Sequence, residues 1–134
     1  MARDLKGKRA IVTGASGAIG QALATELVKA GARVALASRN EGALNELAAR
    51  LKGQGGDVLV VPTDVTIADQ RKRLVDSAVV EFGGLDLLVN NAGVGSWGHF
   101  ADSTEAINRA VMEVNFFAPV ELTRLAICLL YTSD

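Results

Sequence analysis

Two hydrophobic periods alternate along this chain, and that alternation restricts its fold more than any other feature. Ala10-Ile11-Val12 is a short, uninterrupted apolar run ending at Thr13-Gly14, the pattern of a strand buried on both faces. Val34 to Ala37, Val58 to Val61 and Leu85 to Val89 repeat it. Between them, apolar residues recur three and four apart: Ile19, Leu23, Leu27 and Ala30, then Leu44, Leu47, Ala48 and Leu51. A third set runs through Ile67, Leu74, Val75, Ala78, Val79 and Phe82, and a fourth through Ile107, Ala110, Val111 and Val114. Gly31, Gly53, Gly55, Gly56 and Gly83-Gly84 mark helix ends, and Asn40 is a natural N-cap. Thr66-x-x-Asp69 has the form of a capping box.

The order is therefore β-α-β-α-β-α-β-α. Continuous apolar strands joined by amphipathic helices predict a parallel sheet covered on both faces, and right-handed crossovers make it a doubly wound α/β sheet. At 134 residues there is room for one domain. Fourteen Lys and Arg against fifteen Asp and Glu leave no basic excess for nucleic acid. One cysteine excludes a disulfide within the chain. No uninterrupted apolar run reaches membrane-spanning length, and the N-terminus lacks the apolar stretch of a signal peptide. A cytoplasmic location is the expectation. His99 is the single histidine and has no ligand-type partner at metal-binding spacing, so no metal is expected. Asp86 and Glu81 read as ordinary surface charges.

Chemistry enters at the first strand-to-helix turn, Thr13-Gly14-Ala15-Ser16-Gly17-Ala18-Ile19-Gly20. Glycine there allows positive φ and close approach of a ligand, while a helix N-terminus offers unpaired N–H groups and a positive dipole end to a pyrophosphate. The turn lacks the G-K-(S/T) of a P-loop, which disfavours ATP hydrolysis.

Thr13-Gly14-x-x-x-Ala18-x-Gly20 resembles the T-G-x-x-x-(A/G)-x-G signature of the short-chain dehydrogenase/reductase family. Asp64-Val65, just past the third strand, matches the station where that family holds the adenine ring. Asn90-Asn91-Ala92-Gly93 matches its N-N-A-G, and Asn115 its catalytic-site asparagine. The resemblance covers about residues 5 to 127. It implies a Rossmann-type fold, here truncated after the fourth strand and following helix. The implied activity is an oxidoreductase that moves hydride between nicotinamide and a carbonyl or alcohol of a small-molecule substrate, in a homo-oligomeric parent. The implied cofactor contacts are Gly14, Ser16, Gly17, Ala18, Ile19, Gly20, Ser38, Arg39, Asn40, Asp64, Val65, Asn91, Ala92 and Gly93, with Asn115 on the catalytic side. Gly14-x-x-Gly17-x-x-Gly20 also fits the family's extended branch of nucleotide-sugar epimerases and dehydratases, but Asn90 to Gly93 and Asn115 favour the dehydrogenase branch. A non-catalytic module that senses NADP(H) is the rival of another class.

An acidic residue at the end of the second strand would bind the ribose hydroxyls of NAD and repel a 2′-phosphate. That position is Ser38, followed by Arg39, whose guanidinium can pair with a phosphate. NADP(H) preference over NAD(H) is expected, with Ser38 and Asn40 adding neutral hydrogen bonds.

The family's serine, tyrosine and lysine lie beyond Asn115, on and after the fifth strand. Tyr131 cannot serve, because its lysine partner would fall at position 135. The chain as it stands is expected to be inactive. Its final seven residues, Cys128-Leu-Leu-Tyr-Thr-Ser-Asp134, are what TGT CTC TTA TAC ACA TCT GAC encodes. That DNA resembles a transposase-end adapter, so 128–134 is set apart as an adapter-derived tail from a dinucleotide-binding domain at 1–127. Trp97 and Phe100 follow the Asn90–Gly93 loop, where they either touch an apolar substrate or pack as a cap.

Overall fold

The computed structural model describes residues 4–131; residues 132–134 of the tail set apart above lie outside them. Four parallel strands form one sheet in the order β3-β2-β1-β4. They are β1 (Arg9–Thr13), β2 (Arg33–Ser38), β3 (Val58–Pro62) and β4 (Leu87–Val89). The helices are α1 (Ala18–Lys29), α2 (Glu41–Gly53), α3 (Ala68–Phe82), α4 (Glu105–Met112) and α5 (Ala118–Tyr131). This is the doubly wound α/β sheet that the alternating pattern predicts.

Alternation along β1 and β2 splits the core in two. Ile11, Ala35 and Ala37 face α3 and α5, where they meet Leu74, Ala78, Phe82, Leu122 and Ala126. Ala10, Val12, Val34 and Leu36 face the other way, onto Ala24 of α1 and Leu44, Leu47 and Leu51 of α2. Registers such as Ile11 opposite Ala35 and Leu88 keep each layer continuous across the sheet.

The helix faces differ from expectation in α1. Ile19 is 71% and Leu23 37% exposed, whereas Gly20 and Ala24 are buried. Small residues let α1 lie close to the sheet, and its larger apolar side chains turn outward. At the start of α3 the expected capping box does not form. Ile67 occupies the N-cap without a side-chain bond, and the Thr66 hydroxyl donates to Asp64 Oδ1 instead, at 2.7 Å. The expected caps do form elsewhere: Asn40 Oδ1 accepts from Ala43 N, and Gly31 and Gly83 take φ of +85° and +82° at helix ends.

The last helical pattern is one continuous stretch with a defect. Between α4 and α5, residues Glu113–Phe117 form a π-helical turn. The whole stretch, Glu105–Tyr131, is long and apolar enough to cross a membrane by length and composition. The expectation that nothing here reaches spanning length rested on uninterrupted apolar residues, which a window average does not require. In this fold the stripe Ala118, Leu122 and Ala126 of that stretch is buried against the sheet layer.

Asp86 corrects a second expectation. Its side chain is 9% exposed, not a surface charge. Its Oδ2 accepts from Arg9 N and Arg9 Nε, both at 2.8 Å, and Oδ1 accepts from Arg9 Nη2 at 3.1 Å. This two-point pair fastens the chain entering β4 to the start of β1, and β4 begins two residues later than the apolar run suggests. The Arg9 hydrogen bonds hold the Asp86 carboxyl down at about 2, against an ordinary 3.8. A depressed carboxyl stabilises the fold above its unfolded pKa, and that contribution disappears as pH falls through the folded value. Asp86→Asn is therefore expected to cost ~2 kcal/mol at neutral pH. Denaturant titrations at pH 7 and pH 3 check this: the gap between parent and variant must narrow at pH 3, and a constant gap would contradict the assignment.

Candidate functional site

At the carboxyl ends of the strands, on both sides of the β1–β4 junction, lies a cleft of about 580 Å³. This is where a doubly wound sheet leaves a crevice between diverging connections. The structure places around it all of the residues from Gly14 to Gly20, Ser38 to Asn40, Asp64, Val65 and Asn91 to Gly93 named as cofactor contacts. Thr63, Thr66, Val94 and Val114 complete the lining.

The glycines of the first turn act differently from one another. Gly14 has φ +64°, and a Cβ there would stand 2.9 Å from Ala92 Cα. A Cβ on Gly20 would stand 2.1 Å from Gly14 O. Both are glycine because protein backbone occupies the space. Gly17 has an ordinary φ of −80°, and a Cβ there would meet only Gly14 O at 3.5 Å. Its side faces the cleft, so there the absence of a side chain keeps room for a ligand. Gly17 also begins α1 without a side-chain cap, and the first turn holds no acid. The leading N–H groups of α1 thus face the cleft with nothing negative beside them, which suits a pyrophosphate.

Thr13 ties the turn to the opposite strand. Its Oγ1 donates to Val89 O at 3.3 Å and accepts from Asn91 N and Ala92 N, both at 3.0 Å. The Asn91 carboxamide donates to Thr13 O at 3.1 Å and Gly14 O at 3.3 Å. Asn91 therefore braces the turn, with its amide directed to backbone. Thr13 was not among the candidate contacts, although a β-branched hydroxyl at a strand end is the signal that marks it.

On the other flank, Ser38 ends β2 and is buried, and its Oγ accepts from Asn40 N at 3.2 Å. Arg39 is exposed at the rim. Asp64 lies across from it, held below the usual carboxylate range by the Thr66 hydroxyl and Thr66 N, with the Arg39 charge adding to the effect. This end of the site thus pairs an ionised acid with a cation.

Asn115 sits in the π-turn, outside the cleft lining. Its Oδ1 accepts from Val94 N at 2.8 Å, and its Nδ2 donates to Val94 O at 2.7 Å. Both ends of the carboxamide are committed to the main chain of one residue, so the side chain positions the loop after Gly93. Nothing in the sequence marks Val94 as the partner. Trp97 and Phe100, farther along that loop, are 99% and 84% exposed and cap nothing among the described residues.

A family model described as short chain dehydrogenase matches residues 8–133. An 11-beta-hydroxysteroid dehydrogenase A of Sesamum indicum is 42% identical over 125 residues, spanning 92% of this chain and 36% of that protein. A short chain dehydrogenase/reductase of Burkholderia phymatum, solved in complex with NAD, superposes with a TM-score of 0.91 at 33% identity, over 96% of this chain and 46% of that one. A short chain dehydrogenase of Burkholderia cenocepacia J2315, solved in complex with NADP, gives 0.89 at 33% identity over 96% and 53%. The chain thus spans about a third to a half of the length of these proteins.

The glycine geometry separates folding from binding. Gly20→Ala is expected to destabilise by ~3 kcal/mol, because backbone must move to admit the methyl group. Gly17→Val should stay within ~1 kcal/mol of the parent while nicotinamide dinucleotide affinity falls at least ~tenfold. Thermal unfolding and titration calorimetry on the two variants check it; equal affinity in Gly17→Val and parent would remove the pyrophosphate from this turn.

Proposed function

The chain belongs to the short-chain dehydrogenase family, and on that premise we propose that the protein carrying it is an NADP(H)-dependent oxidoreductase interconverting a carbonyl and an alcohol. The family supplies the reaction class, and solved relatives bind NAD or NADP. The observation that carries the phosphate preference is the end of β2, where Ser38 stands in place of a carboxylate and Arg39 follows at the rim of the cleft.

In this reading, the N–H groups opening α1 hold the pyrophosphate. Arg39 pairs with the 2′-phosphate, and the Ser38 hydroxyl and Asn40 amide add neutral donors. Asp64 and Val65 take the adenine. A bound nicotinamide supplies the hydride donor or acceptor. Asn115 fixes Val94, and through it the loop that leaves Gly93 toward the reacting end. The serine, tyrosine and lysine that would orient the substrate oxygen and exchange its proton belong to the part of the protein this chain does not span.

Arg39→Asp is the test. Loss of a charge-assisted phosphate contact should cost ~2 kcal/mol, or ~30-fold in NADP(H) affinity, and repulsion by the new carboxylate adds to it. NAD(H) binding should hold steady or improve. Dissociation constants for both dinucleotides in the full-length protein decide the matter, and an unmoved ratio would take Arg39 out of the phosphate site.

A further inference from the structure

The connection from β3 to α3 carries the two residues that face the base end of the cleft, Asp64 and Val65. Neither lies in a strand or helix, and the main-chain hydrogen bond at this pair, from Ile67 N to Asp64 O at 3.1 Å, does not fix the peptides on its two sides. Two side chains from the first turn of α3 do. Gln70 Oε1 accepts from Asp64 N at 2.7 Å, and Arg71 Nη1 donates to Val65 O at 2.8 Å. We infer that Gln70 and Arg71 are positioning residues that set the selectivity of this pocket for adenine over other purines.

The placement of Arg71 argues that its bond to the loop is its purpose. The residue is 9% exposed, and its buried Nε has no hydrogen-bond partner among the described residues. A buried cation with an unsatisfied donor is costly, so its retention needs a compensating contact. That contact is the Val65 carbonyl, and the Glu121 carboxylate interacts electrostatically with the same cation. Gln70 is half-buried and holds the Thr63–Asp64 peptide as an acceptor, where Arg71 holds the Val65–Thr66 peptide as a donor.

What these bonds leave over matches one base. Asp64 Oδ1 is occupied by Thr66 N and the Thr66 hydroxyl, at 3.0 and 2.7 Å, which leaves Oδ2 as an acceptor. With Val65 O engaged by Arg71, the Val65 N–H remains as a donor, without an acceptor among the described residues. An acceptor beside a donor complements adenine, which offers an exocyclic amino donor next to a ring-nitrogen acceptor. Hypoxanthine, with a carbonyl and a ring N–H at those positions, reverses both. Discrimination then depends on the Asp64–Val65 peptide, which carries that N–H, keeping its orientation, and Gln70 and Arg71 hold the peptides on either side of it.

The inference rests on the dinucleotide reading of the cleft, and the test separates the two. In the full-length protein, calorimetry measures affinity for NADP and for its hypoxanthine analogue. The parent should prefer adenine by at least ~tenfold, the scale of one good two-point base contact. Gln70→Leu, which loses the acceptor, should reduce that ratio at least ~threefold, and Gln70→Glu, which keeps it, should restore the ratio to within ~twofold of the parent. Arg71→Met should reduce the ratio likewise; if it fails to fold, the half-buried Gln70 pair carries the result. A merely structural role would weaken both dinucleotides equally, and an unchanged ratio in Gln70→Leu would overturn the inference. A parent that binds neither dinucleotide would overturn the cleft reading, and the inference with it.

Discussion

The backbone of Gly14 lies against the backbone of Ala92, and the cleft takes its shape from that contact. With 2.9 Å between a would-be Cβ and Ala92 Cα, no side chain fits between the ends of β1 and β4. The Thr13 hydroxyl and Asn91 amide then close the junction with hydrogen bonds to main chain on both sides. Because β1 is held there, α1 must start where it does, with its N-terminus over the crevice. Gly20, pressed against Gly14 O, fixes the angle at which the helix leaves. The ligand-facing groups are mostly backbone N–H, so their direction depends on this packing rather than on any rotamer.

The opposite end of the same two strands is fastened by charge. Asp86 and Arg9 join β4 to β1 below the sheet, and Arg33, which begins β2, bonds Asp57 and lies 4.7 Å over the Phe82 ring. Pinning both ends leaves a central strand with little freedom to slide, although β4 is only three residues long. The Asp86 pair is the stronger of the two, being two-pointed with its carboxylate largely buried, whereas Asp57 remains half exposed.

Much of this is legible in the residues. Apolar runs of three to five between glycine-marked helices fix the order of elements along the chain and the burial of the strands, since few other arrangements bury such runs on both faces. The clefted turn is legible because glycine spacing reports backbone geometry directly. Asp86 misleads because a charged residue beside a strand carries no mark of its partner 77 positions away. Ile19 and Leu23 mislead because helical periodicity gives a face, while close packing of α1 is set by where the small residues Gly20 and Ala24 fall. Thr66 has the right spacing for a capping box, yet Asp64 is nearer to its hydroxyl. Gln70, Arg71 and the Val94 partner of Asn115 leave no trace in the sequence, because each bond runs from a side chain to another residue's main chain.

The π-turn at Glu113–Phe117 has a bearing on how such chains can change length. One surplus residue in a helix rotates everything beyond it by about 100°. In this helix the π-turn itself presents Asn115 to Val94, and the residues after it present Ala118, Leu122 and Ala126 to the sheet. Deleting a single residue there would leave a smoother helix whose two halves no longer serve their separate partners. A change of length between β4 and α5 is thus easier to absorb in the loop from Gly95 to Ser103, which precedes the helix, than within the helix itself.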